Sequence, residues 1–251
     1  MSPVFRGMLG SMFLLVVVLP LRGDDADTAK AIVEKSIKAA GSEEKLAKLK
    51  AAAMKFKGVI HQSDMNISFT GEIVTQGADQ TRVVIQADIN GQALTLTEVL
   101  NRDKGWKKEQ DAAKEMSADE LKEAQNGANE NWIASLVPLK DKAYTLAALG
   151  EIKVDDRPAL GVRVSSKGRR DVNLYFDQES HLLVKSEMRV KDEATEMEVN
   201  QETFYGDYKE VAGIKEAMKF VIKRDGKPFL NAEVEEIRRE EKVDDSLFAK
   251  P

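Results

Sequence analysis

The stretch RVVIQADINGQALTL, residues 82–96, decides the fold. Val83, Ile85, Ala87 and Ile89 alternate with Arg82, Val84, Gln86 and Asp88. A period of two puts the first set on one face of a strand and the second on the other. Asn90-Gly91 follows, and both central positions of a type I′ turn want positive φ, so the pair predicts a tight hairpin. Leu94, Leu96 and Leu100 carry the apolar face onto the far side of that turn.

The pattern extends outward in both directions. Upstream, Ile67, Phe69, Gly71 and Ile73 alternate with Ser68, Thr70 and Glu72, and Met54, Phe56, Gly58 and Ile60 alternate with Lys55, Lys57, Val59 and His61. Downstream, Asp103-Lys104-Gly105 marks a turn and Trp106 starts a short strand. Such a run is an antiparallel meander with one apolar and one polar face.

Residues 117–138 interrupt the meander. Ser117 and Glu120 match a capping box, so a helix is expected to start there and Gly127 to break it. Trp132, Ile133, Leu136 and Val137 then form an apolar patch before Pro138. From Tyr144 the alternation resumes, with expected strands at 144–154, 159–165, 171–176, 182–191, 195–208, 214–224 and 229–240. At the other end, residues 27–40 have helical spacing, with Ile32, Val33, Ile37 and Ala40 on one stripe. Ser42 suits the cap of a second short helix. No linker divides the strand runs, so residues 24–251 are expected to form a single, mainly β (α+β) domain. An antiparallel sheet of about eleven strands must curl, which gives an incomplete β-barrel with helices covering its mouth.

Composition decides which way the curled sheet faces. Aromatic residues make up 6 % of the chain, too few for the two girdles of a membrane barrel. The polar face is dense with long charged side chains, such as Lys185, Glu187, Arg189, Glu196 and Glu198. The charges therefore belong outside and the aliphatic face inside. The expected inner wall is Ile67, Phe69, Ile73, Val83, Ile85, Leu94, Leu96, Leu174, Phe176, Met188, Met218 and Phe220. Ile32 and Ile37 from the first helix, with Trp132, Ile133 and Leu136 from the insertion, are its expected lid. Periodicity does not say whether side chains fill the interior. A filled interior would make the chain a non-catalytic interaction or sensor module.

Other chemistry finds no support. The chain has no Cys and two His, His61 and His181, far apart in sequence, so neither a thiolate nor a histidine-rich metal site is expected. No nucleophile-elbow, phosphate-loop or zinc-protease motif is present, so no cofactor and no catalysis are expected. A formal charge of −5 without a basic block is poor for nucleic acid. The first 23 residues read as a signal peptide, with an uncleaved anchor as the alternative. Arg6 supplies the positive end, residues 12–21 form an apolar run too short to span a bilayer, and Gly23 offers a small residue at the cut.

In its order of helix pair, meander, helical insertion and second meander, the chain resembles the outer-membrane lipoprotein-sorting (LolA-like) superfamily. The resemblance rests most on three late stretches: VNLYFDQESHLLVK (residues 172–185), FYGDYKEVAGIKEAMKF (204–220) and VDDSLFAKP (243–251). It implies an exported, periplasmic protein that holds a lipid, lipoprotein acyl chains or another apolar ligand in a half-barrel. It also implies exchange with a membrane-associated donor or acceptor protein, without cofactor or catalysis. The resemblance says nothing of oligomeric state. Two features set this chain apart from the well-studied carriers. No arginine-proline motif follows Gly71, and the expected interior is aliphatic rather than aromatic.

Overall fold

The computed structural model describes residues 24–62, 65–110, 112–192 and 195–251. The expected signal peptide lies outside these residues. Two helices, α1 (Asp24–Ala40) and α2 (Glu43–Lys48), precede a first strand run: β1 (Ala51–Gln62), β2 (Met65–Gln76), β3 (Gln80–Ile89), β4 (Gln92–Asn101), β5 (Lys104–Glu109) and β6 (Ala112–Glu115). Helix α3 (Ala118–Ala134) and a 3-10 turn (Val137–Lys140) lead to a second run. This comprises β7 (Tyr144–Val154), β8 (Arg157–Ser166), β9 (Val172–Asp177), β10 (Leu183–Lys191), β11 (Glu198–Gly206), β12 (Lys209–Val211), β13 (Ile214–Glu216), β14 (Lys219–Arg224) and β15 (Lys227–Glu240).

Thirteen strands form one antiparallel sheet in the order β6-β5-β4-β3-β2-β1-β15-β14-β11-β10-β9-β8-β7, and β12 and β13 form a separate hairpin. Pairing of β1 with β15 joins the two runs into one surface. The sheet is open, with β6 and β7 as its edges. The expected count of about eleven falls short for local reasons. The short edge strand β6 lacks alternation, and outside the main sheet β12 falls between two expected strands while the expected 214–224 strand is divided into β13 and β14 at Ala217-Met218.

Turn chemistry fixes the register. Asn90 (φ 56°) and Gly91 (φ 82°) take the two left-handed positions between Ile89 and Gln92, as the sequence predicts. Asp155-Asp156, Ala212-Gly213 and Asp225-Gly226 do the same in three more two-residue hairpins. Two glycines serve packing instead. Gly71 faces Phe56 across β1 and β2, and Gly58 faces Phe69. A Cβ on Gly71 would lie 2.6 Å from the Phe56 ring, and one on Gly58 would lie 2.8 Å from the Phe69 ring.

Helix α3 starts at the expected capping box: Ser117 Oγ accepts from Glu120 N, and Glu120 reaches back to Ser117 N. It does not break at Gly127 but runs through it to Ala134. An interior Gly costs about 1 kcal/mol relative to Ala. Burial of the apolar Ala128 and Ile133 on the following turns, with the polar contacts of α3 to the sheet, outweighs that.

The core lies between the helices and the second strand run. Ala29, Val33, Ile37 and Ala40 of α1, Leu46 of α2, and Ile133, Leu136 and Leu139 pack against Leu146, Val162, Val164, Val172, Leu174, Phe176, Met188 and Val190.

Candidate ligand-binding trough

Strand register places one set of apolar residues from the middle strands on a common inner face. Pairing aligns Ile60 with Ile67, Gly58 with Phe69, and Phe56 with Gly71. It aligns Phe69 with Ala87, Gly71 with Ile85, Ile73 with Val83, Ala87 with Leu94, and Ile85 with Leu96. On the other side, Ala232 meets Phe220, Leu230 meets Ile222, and Phe220 meets Tyr205. The continuous inner wall therefore runs from β4 through β3, β2, β1, β15 and β14 to β11.

Helix α3 shows how far the wall curls. It packs on β4 and β5 at one arm of the sheet and on β9 and β10 at the other. Six strands separate β4 from β10. In a flat sheet those seven steps would cover about 34 Å. A 17-residue helix is only about 25 Å long. The arms must bend toward one another, and α3 lies across the mouth of the resulting trough. Helix α1 packs farther along, on β7, β8 and β13.

The expected wall residues divide into two groups. Ile67, Ile73, Val83, Ile85, Leu94, Leu96 and Phe220 are half-buried on the inner face of the middle strands, and Phe69 among them is buried. Met218 is half-buried in the link between β13 and β14; its N–H donates to the Gly206 carbonyl. Leu174, Phe176 and Met188 are on the same face but sealed in the core beneath the helices. Of the expected lid, Ile37, Ile133 and Leu136 are also core residues, whereas Trp132 and Ile32 are half-buried. Ile32, Ala31 and Lys35 of α1 face Leu160, Phe176 and His181 across a cleft of about 270 Å³.

Polar contacts strap α3 to both arms. Lys107 on β5 lies 3.3 Å from Glu98 on β4 and 3.5 Å from Glu120 on α3. Gln125 donates to the Arg102 carbonyl and accepts from Arg169 at 2.7 Å. Arg170 pairs with Glu123 and Glu198, and the Tyr144 hydroxyl donates to Asn129 Oδ1. Near the C-terminal end, Ser186 Oγ on β10 donates to Glu130 Oε1 at 2.8 Å and lies 3.0 Å from the Tyr205 hydroxyl on β11. Glu130 and Ser186 are buried. Burial pushes the Glu130 carboxyl above the ordinary carboxylate range, against the opposing effect of the Ser186 hydrogen bond. Burial likewise raises the Tyr205 phenol, with the nearby Glu130 adding to it. Tyr205 stacks edge to face on Phe220, at 5.6 Å, which ties the trio to the apolar wall.

The outer face is charged, as expected from Lys55, Lys57 and their partners Glu236 and Glu235. One part of it differs from expectation. Lys185 and Glu187 are not bathed in water. Lys185 is 9 % exposed, held between Glu187 and Glu202 at 2.6 and 2.5 Å, with the Tyr175 and Phe204 rings 5.5 and 5.4 Å away. Alternation identifies the face these residues occupy but not the neighbours that enclose them. The Glu130–Ser186–Tyr205 trio was equally illegible, because its members come from three separate elements. A capping box and a polar helix were its only sequence signals.

Among the described residues no cluster of His, Cys, Asp or Glu could hold a metal, and no helix is long and apolar enough to cross a membrane. The trio offers no accessible nucleophile: Ser186 is fully enclosed.

An open, curled antiparallel sheet with a helix across its mouth defines a LolA-like fold, and solved structures share it. A LolA superfamily protein from Nitrosomonas europaea superposes with a TM-score of 0.58 at 12 % identity, covering 88 % of this chain and 97 % of its own. A putative outer membrane lipoprotein-sorting protein domain from Vibrio parahaemolyticus gives 0.57 at 10 % identity, covering 90 % and 98 %. A DUF1329 family protein from Desulfovibrio piger gives 0.56 at 12 % identity, covering 88 % and 96 %. No family model and no curated protein matches the chain.

Proposed function

We propose that this protein is an exported, non-catalytic carrier that holds the acyl chain of a lipid or lipoprotein in the trough beneath α3. One observation carries the reading. Aliphatic side chains from six neighbouring strands are aligned on one face, half-buried, with helix α3 bridging the two arms of the sheet. Water-exposed apolar surface of that extent is costly unless something covers it. The shared fold with lipoprotein-sorting proteins supports the ligand class.

The magnitudes suit reversible carriage. A strand of about nine residues spans roughly 30 Å, enough for a long acyl chain. Burying some 14 methylenes contributes on the order of 11 kcal/mol gross, at about 0.8 kcal/mol each. Association and ordering costs offset much of that. Loading and unloading would involve a membrane-associated donor or acceptor protein.

Native mass spectrometry of the purified protein tests the reading. Adducts with lipid masses, displaced by added fatty acid, are expected. A bare chain under gentle conditions, with no uptake of added fatty acid, would overturn it and leave an interaction module of the same fold.

A further inference from the structure

We propose that Glu130 is a pH-sensitive latch: with its carboxyl neutral, α3 stays docked across the trough, and ionisation lifts the C-terminal half of α3 from β10 and β11. The geometry is specific. Glu130 is the one acidic side chain of α3 that is buried, at 6 % exposure, and its hydrogen bond goes to Ser186 on the sheet. The Ser186 hydroxyl in turn contacts Tyr205, so one carboxyl engages two strands.

Among the described residues, no ion pair to Glu130 is formed, and the nearby charged groups are engaged elsewhere. From β11 the facing titratable group is Tyr205, itself neutral. From β10, Lys185 and Glu187 point to the outer face, and Lys191 lies near Asp119 and Glu123 at the other end of α3. On β4 and β5, Glu98 pairs with Lys107, which in turn meets Glu120. Arg169 and Arg170, before β9, meet Gln125, Glu123 and Asn126, and Glu198 meets Arg170. Tyr144 of β7 meets Asn129, and Lys140 of the 3-10 turn meets Glu43.

The sign follows from burial. Docking raises the carboxyl's pKa, so docking is fully favoured below the undocked value and loses strength as pH rises through the docked one. Opening of the trough is therefore promoted by alkaline shift. What that opening releases rests on the carrier reading, but the movement itself does not.

Trp132 sits two residues from Glu130 on α3 and is half-buried, so its emission reports docking. Trp106 is the only other Trp, so Trp106→Phe leaves a single reporter. Titrating this variant from about pH 5 to 9 without lipid is expected to give a sigmoidal red shift. Adding Glu130→Gln, which keeps the shape and cannot ionise, is expected to abolish it. Amide exchange of residues 118–134 in the unaltered protein at the same pH values should accelerate in parallel. A flat titration with pH-independent exchange, or the same transition in Glu130→Gln, would overturn the latch. Loss of lipid binding alongside an intact transition would overturn the carrier reading and leave the latch standing.

Discussion

Phe56 and Phe69 meet edge to face at 5.9 Å, and each ring lies over the glycine presented by the other's strand, Phe56 over Gly71 and Phe69 over Gly58. Two absent side chains thus make room for two rings at the floor of the trough. Gly71→Ala would drive a methyl into the Phe56 ring and the Ile85 side chain. Overpacking of this kind costs about 1–3 kcal/mol. The expected outcome is a lower urea midpoint at an unchanged slope. An unaltered midpoint would show that the rings do not depend on the glycine.

Lys185 tests whether charges on the outer face are structural. Lys185→Ala leaves Glu187 and Glu202 enclosed without their cation, a change worth about 3–5 kcal/mol of destabilisation. Replacing all three residues with apolar ones of similar volume should restore most of that stability.

The same cluster gives an acid limit. Burial raises the Glu187 carboxyl, but hydrogen bonds from Lys185 and Tyr175 outweigh it and hold the carboxyl below its ordinary 4.5. Its contribution is complete above about pH 4.5 and fades as pH falls through the lower folded value. Acid titration of Glu187→Gln should therefore lose less stability below that pH than the unaltered protein does.

Ala212 occupies a left-handed position at φ 51° before Gly213, where an L residue other than Asn, Asp or Gly is strained. Ala212→Asn creates the preferred turn pair and should raise stability by about 1 kcal/mol, read by thermal unfolding. A neutral or destabilising result would contradict the turn geometry of the β12–β13 hairpin.

The fold was legible wherever a local period reports it. Val83, Ile85, Leu94 and Leu96 share a face because alternation and the Asn90-Gly91 turn leave no other register. Ser117 and Glu120 announce α3 for the same local reason. Gly127 misled because propensity is a weak force beside the tertiary packing of Ala128 and Ile133. The sealed state of Leu174 and Met188 depends on where α1 and α3 come to rest, and the pattern within one strand carries no information about that. Glu130 and Ser186 are 56 residues apart, and only the curl of the sheet brings them together.

Leu96 lies half-buried on the inner face opposite Ile85, away from the closed core. Binding of an environment-sensitive fluorescent fatty acid to the unaltered protein and to Leu96→Glu therefore bears most directly on the trough. Saturable binding by the unaltered chain is expected, weakened at least about tenfold in Leu96→Glu, with circular dichroism unchanged. Tenfold corresponds to 1.4 kcal/mol, less than the cost of leaving a charge against an acyl chain. Equal binding by the two proteins would place the ligand elsewhere and contradict the account.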